Sequence, residues 1–80
     1  MSDQKPGPSR NVLLGVALRA ARGRAHFGLR ELARRVRANP ALISNWELGQ
    51  RTPYVVDVAG ILGALGVTGD DKRRILQLAR

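Results

Sequence analysis

The sequence predicts an all-α fold, a compact bundle of five short helices. Three observations lead there. Apolar residues recur at three- and four-residue spacing along most of the chain, the period of a helix with one buried face. No stretch alternates apolar and polar residues for long enough to read as a strand. Glycine, proline and asparagine fall between the periodic segments and divide them into pieces of helical length.

Taken in order, residues 1–9 carry Pro6, Gly7, Pro8 and Ser9 and no apolar residue after Met1. They read as a flexible N-terminal arm ahead of a folded domain over residues 10–80. The plain reading of the arm is an unstructured tail; the sharper one has Lys5 and Arg10 reaching a nucleic-acid backbone or minor groove. The first helix runs from about Asn11 to Arg24, with Leu14, Ala17, Leu18, Ala21 and Ala25 on one face and Arg22 at its border. Gly15 inside it is a mild weakness, worth up to ~1 kcal/mol relative to alanine. The helix fades between Gly23 and Gly28. There Phe27, the only phenylalanine, is expected to plug the core, and His26 reads as a surface or packing residue.

Leu29, Leu32, Ala33 and Val36 define the second helix, and Arg37-Ala38-Asn39 breaks it. Asn39-Pro40 restarts the pattern: Asn can cap free backbone N–H groups and Pro fits the first helical position. This third helix runs to about Leu48 and stops at Gly49. The fourth spans about Tyr54 to Leu65, with Val55, Val58, Ala59, Leu62 and Leu65 on one side and Gly66 at its end. Val56, Ile61 and Ala64 are surplus to that stripe, a sign of a second buried contact. Gly69-Asp70-Asp71 opens the fifth helix with two acids that complement the macrodipole. Ile75, Leu78 and Ala79 form its inner stripe. Arg80 falls within a helical pattern, as in a stand-alone domain or one followed by a C-terminal sensing domain.

Composition narrows the function classes. Fourteen Lys and Arg oppose six acids in 80 residues, a formal net charge of +8, which calls for a polyanionic partner. With no cysteine, neither disulfides nor thiolate metal sites are available, and a reducing cytoplasm fits. One histidine and a few scattered acids give no paired titratable groups, so an enzyme is not expected, and neither a metal nor a cofactor is implied. No apolar run is long enough to span a membrane, and the N-terminus lacks the order of a secretion signal.

The stretch Leu29 to Gly49 carries the functional information. On a wheel, Ile43 and Trp46 of the third helix share one side, while Ala41, Ser44, Asn45 and Leu48 share the other. That outward face is small, polar and free of acids. Such chemistry suits a major groove, where Ser and Asn bond base edges and Ala touches a thymine methyl. It equally suits the solvated face of an ordinary helical hairpin. The ordered set Glu31-Leu32-Ala33, Asn39-Pro40, Ile43-Ser44 and Glu47-Leu48-Gly49, followed by Pro53, resembles the helix-turn-helix of the Cro/repressor-type (xenobiotic-response-element) family. More narrowly, it is similar to the N-terminal domains of actinobacterial transcriptional regulators.

The resemblance implies a lambda-repressor-like DNA-binding bundle in which helices two and three form the helix-turn-helix. It assigns base contacts to Pro40, Ala41, Ser44 and Asn45, and phosphate contacts to Asn39 and Arg51. Arg30, Arg34 and Arg37 add a positive edge to the second helix, from which further phosphate contacts are expected. Related repressors pair an arginine of helix one with the glutamate ending the recognition helix, here Arg22 and Glu47. Three residues depart from the family pattern. Arg37 replaces the usual glycine of the turn, so that turn is expected to differ slightly. Leu29 replaces a phosphate-binding glutamine, and Gly28 replaces the Ser/Thr cap of helix two.

The resulting expectation is a sequence-specific regulator of transcription, acting as a repressor on double-stranded DNA in the cytoplasm or nucleoid. A single domain makes few base contacts, which implies a homodimer on a two-fold operator. Ile61, Ala64, Leu65 and Leu76 are candidates for the dimer contact and equally for completing the core. The alternative is a protein-interaction or antitoxin-type module that uses the same fold with a partner protein and only non-specific DNA affinity.

Overall fold

The computed structural model describes residues 9–80. Residues 1–8, and with them most of the expected arm and Lys5, lie outside the described residues. Five helices follow in order: α1 (Arg10–Arg24), α2 (Leu29–Val36), α3 (Pro40–Glu47), α4 (Val55–Leu65) and α5 (Gly69–Ala79). Ser9, which the sequence reading places in the arm, belongs to the folded domain. Ser9 is the N-cap of α1, its hydroxyl accepting from the Val12 N–H at 3.2 Å. Arg10 opens α1 and donates to the carbonyl of Arg80, which joins the start of the first helix to the end of the fifth.

Each helix begins and ends for a local reason. Gly28 has no side chain with which to cap α2. The Glu31 carboxylate instead accepts from the Gly28 N–H at 3.4 Å, supplying half of a capping box. The carboxamide oxygen of Asn39 accepts from the Ala41 N–H at 2.8 Å, and Pro40 occupies the first position of α3. Asp57 accepts from the Tyr54 N–H at 3.1 Å at the start of α4. Gly66, at φ 74°, closes α4 in the left-handed conformation glycine adopts without strain.

Arg37 closes α2 and begins the turn into α3. That residue adopts φ 57° and ψ 46°, a left-handed geometry, and its N–H bonds back into α2. Arg37 thus adopts the conformation that a glycine takes without strain, at the cost of backbone strain at a non-glycine residue. His26, at φ 59°, carries the same strain in the α1–α2 connection.

The core draws on every helix. Leu14, Leu18 and Ala21 from α1 meet Leu32 and Ala33 from α2, Ile43 and Trp46 from α3, Val58, Ile61, Leu62 and Leu65 from α4, and Ile75 from α5. The surplus apolar residues of α4 are thus resolved. Ile61 and Leu65 complete the core, and Ala64 and Leu76 pack partly buried against it. The exposed apolar residues of this region are instead Tyr54, Val55 and Val56. Phe27 does not plug the core. It packs at the edge, with the Arg35 guanidinium 5.4 Å from its ring centroid in a cation–π contact.

The tightest packing lies between α1 and the end of α3. A Cβ on Gly15 would sit 2.6 Å from the Trp46 carbonyl oxygen and closer still to that of Glu47. On Gly49, at φ 73°, it would sit 2.9 Å from a Val12 side-chain carbon. Gly15 is therefore no weakness; it is the gap that admits the backbone of α3. Arg22 and Glu47 close the same seam with two parallel bonds, Nε to Oε2 at 2.7 Å and Nη2 to Oε1 at 2.9 Å. Arg22 also donates to the Phe27 carbonyl at 3.1 Å. The Glu47 side chain is only 7% exposed and that of Arg22 18%, so the pair is shielded from water. Hydrogen bonding to Glu47 raises the pKa of Arg22; burial opposes this and the charge of Glu47 adds to it.

The seam and the turn can both be tested through stability. Gly15→Ala should cost about 3 kcal/mol through overpacking against backbone. Gly60→Ala, at an exposed site in α4 with nothing within 4 Å of the added carbon, should gain ~0.5–1 kcal/mol. Urea unfolding of both variants checks the contrast, and equal effects would refute the close-approach argument. Arg37→Gly should gain roughly 0.5–1 kcal/mol by removing left-handed strain; a drop in melting temperature would show that the arginine side chain supports the turn. Arg22→Met or Glu47→Leu alone should each cost roughly 3 kcal/mol, because a shielded charge is left unpaired. The double variant should cost less than the sum, and strictly additive costs in the mutant cycle would mean that the pair is not coupled.

Candidate nucleic-acid interface

α3 is short, and both its ends are fixed. Asn39 and Pro40 set its start, and the Arg22–Glu47 pair holds its last residue against α1. Ile43 and Trp46 are buried, which sets the rotation of the helix about its axis. The side left outward carries Ala41 and Leu48, both exposed, with Pro40, Ser44 and Asn45 half-buried alongside. The face contains no charged group. It offers one hydroxyl, one carboxamide and small apolar surface, a set able to bond base edges and to accept a methyl group.

The backbone after α3 is folded back on the helix. The N–H groups of Gln50 and Arg51 both reach the Asn45 carbonyl, at 2.9 and 3.4 Å. Asn11 of α1 donates to the Thr52 hydroxyl at 2.6 Å, and Pro53 is buried. Arg51 therefore stands exposed on a loop tied down on both sides. Arg30 and Arg34 are exposed one turn apart on α2, and Arg37 is exposed in the turn before α3. Arg35 is diverted onto Phe27.

The acids close to this surface are already engaged. Glu31 accepts from Gly28, Glu47 from Arg22 and Asp57 from Tyr54. Among the described residues the ion pairs are Arg22–Glu47, Arg73–Asp70 and Arg74–Asp71, so none involves Arg30, Arg34, Arg37 or Arg51. These four guanidiniums flank a neutral helix face, an arrangement that can grip phosphates on either side of the bases being read. Asn39 spends its carboxamide oxygen on the helix cap and retains its NH2 group as a donor.

Sequence reasoning gathered the outward residues of α3 and the cations of α2 into one region. It did not assign to Gly15, Gly49 and Asn11 the contacts that position that region. A glycine inside a helix, where alanine is the better helix former, was the available signal for Gly15. The Asn11–Thr52 bond joins residues far apart in sequence and left no local trace.

Among the described residues no helix is long and apolar enough to cross a membrane, and no cluster of His, Cys, Asp and Glu is placed to hold a metal ion. A family model described as a helix-turn-helix domain matches residues 13–75. None of the curated proteins matches the chain. The crystal structure of the clp gene regulator ClgR from C. glutamicum is similar along nearly its whole length. The identity is 32%, the TM-score is 0.80, and the match covers 95% of this chain and 94% of that one. The chain belongs to the helix-turn-helix family of the Cro/repressor type, with α2 and α3 as the helix-turn-helix.

Proposed function

We propose that this chain is a sequence-specific double-stranded DNA-binding domain of a transcriptional repressor. The observation that carries the reading is the neutral outward face of α3, held rigidly and bordered by exposed arginines without ion-pair partners among the described residues. The net charge of +8 and the similarity to a gene regulator support it. In this reading α3 enters the major groove. Pro40 and Ala41 make apolar contact with bases, and Ser44 and Asn45 hydrogen-bond their edges. Arg30, Arg34, Arg37, Arg51 and the NH2 of Asn39 contact phosphates and set the register of the helix on the duplex. Two copies bind a two-fold operator, with half-sites about one turn of DNA apart.

The reading separates specificity from affinity. Ser44→Ala and Asn45→Ala should erode discrimination between the cognate site and single-base variants by ~1–3 kcal/mol for each base no longer bonded. Their affinity for unrelated DNA should stay the same. Arg34→Ala or Arg51→Ala should weaken binding to every sequence and flatten the plot of log K against log salt by about 0.9 for each phosphate no longer neutralised. Selection of the site from random duplexes, followed by anisotropy titrations at several salt concentrations, measures both. Binding that shows no sequence preference, or a preference unchanged by both α3 substitutions, would overturn this reading in favour of a protein-interaction module.

A further inference from the structure

We infer that the outer face of α1 is a docking surface for an acidic amphipathic helix of another protein, a site centred on α1 that meets the face of α3 only at Leu48. α1 is apolar on both sides. Leu14, Leu18 and Ala21 are buried inward, and on the opposite side Val12, Leu13, Val16 and Ala20 face solvent. Leu13 is 45% and Val16 60% exposed. An amphipathic helix ordinarily turns its apolar stripe inward and a polar face outward; α1 adds a second apolar strip of about two turns on its outer side, with no charged residue along its centre.

The strip has relief and a charged border. Val16 and Ala20 form a ridge between two grooves. One groove, of about 570 Å³, lies against α5 and is edged by Arg24 and Arg74. The other, of about 600 Å³, lies against Leu48 and is edged by Arg19. The acids beside the strip are taken, since Glu47 is held by Arg22 and Asp71 lies 3.5 Å from Arg74. Arg74 is thereby paired, but Arg24 on one edge of the apolar ridge and Arg19 on the other have no ion-pair partner among the described residues. The complement of that pattern is a helix with apolar side chains at i, i+3/i+4 and i+7 and carboxylates on each flank. A second copy of this chain would bring the same arginines against these. The segment before Ser9 offers Met1 as its only large apolar residue and cannot supply the stripe.

The test is a titration of the isotope-labelled chain with a synthetic three-turn peptide carrying a leucine stripe flanked by glutamates. The controls are the same peptide with lysine flanks, phosphatidylglycerol vesicles, and sedimentation of the chain alone. Support is amide shifts grouped between Val12 and Arg24 and at Gln77–Leu78 with the glutamate peptide. Val16→Glu, and separately Arg19→Glu with Arg24→Glu, should weaken that binding at least about tenfold, roughly 1.4 kcal/mol. Melting temperature and DNA affinity should hold for Val16→Glu, because Val16 is exposed and lies outside the α3 face. The inference is overturned by silence of these amides, by equal binding of the lysine-flanked peptide, by vesicle binding in place of peptide binding, or by dimers that Val16→Glu dissolves.

Discussion

The close approach of α1 to the last turn of α3 is the constraint on which the rest of the molecule depends. Hydrophobic burial alone fixes α3 loosely, because an eight-residue helix with Ile43 and Trp46 inward could still slide or tilt on its neighbours. Contact of α1 with the carbonyls of Trp46 and Glu47, through the gap at Gly15, removes that freedom. Directional bonds then lock what packing has brought together. The forked Arg22–Glu47 pair fixes distance and angle at once, since a planar guanidinium meets a carboxylate well in few orientations. The helix that presents the candidate reading face thus has its position set from behind, leaving its front unencumbered.

The loop after α3 extends the same logic. Gly49 turns the chain in a left-handed conformation hard against Val12. The Gln50 and Arg51 N–H groups fold back onto Asn45, and Asn11 reaches across to Thr52. α1 therefore touches both α3 and the loop that carries Arg51. Disturbing the first turn of α1 would move a cation and a helix together. That is a physical reason for Ser9 and Arg10 to be ordered parts of the domain, one as a cap and the other bonded across to Arg80.

Much of this was legible in the sequence, and the reasons differ by element. All five helices could be located because their apolar periodicity and their stop signals agree, as with Asn39-Pro40 before α3 and Gly66 after α4. The wheel of α3 gave its inward and outward residues correctly, since one turn of a short helix is a local property. The fate of Ile61 and Leu65 was not legible: an apolar surplus has the same pattern whether a neighbouring helix or a second molecule covers it. The role of Gly15 was misjudged because helix propensity describes an isolated helix, while the residue answers to a carbonyl from another one. The left-handed Arg37 shows the reverse case, in which tertiary packing imposes a backbone geometry that local preference resists.

Charge in this molecule is segregated as well as abundant. Its described acids sit at helix starts or in pairs: Glu31 and Asp57 bond backbone N–H groups, Asp70 and Asp71 meet Arg73 and Arg74, and Glu47 holds Arg22. Such acids stabilise helix termini and cancel little of the field elsewhere. Among the described residues, arginine without an ion-pair partner stands along α2 and its flanking loops and, as Arg19 and Arg24, at the edges of the outer strip of α1. The central surface differs between them. Beside α2 it is the small polar face of α3, which matches hydrogen-bonding edges; on α1 it is an apolar ridge, which matches only another apolar surface. The same cation therefore serves different chemistry according to what it borders, so net charge alone could not have distinguished a nucleic-acid face from a protein face on this chain.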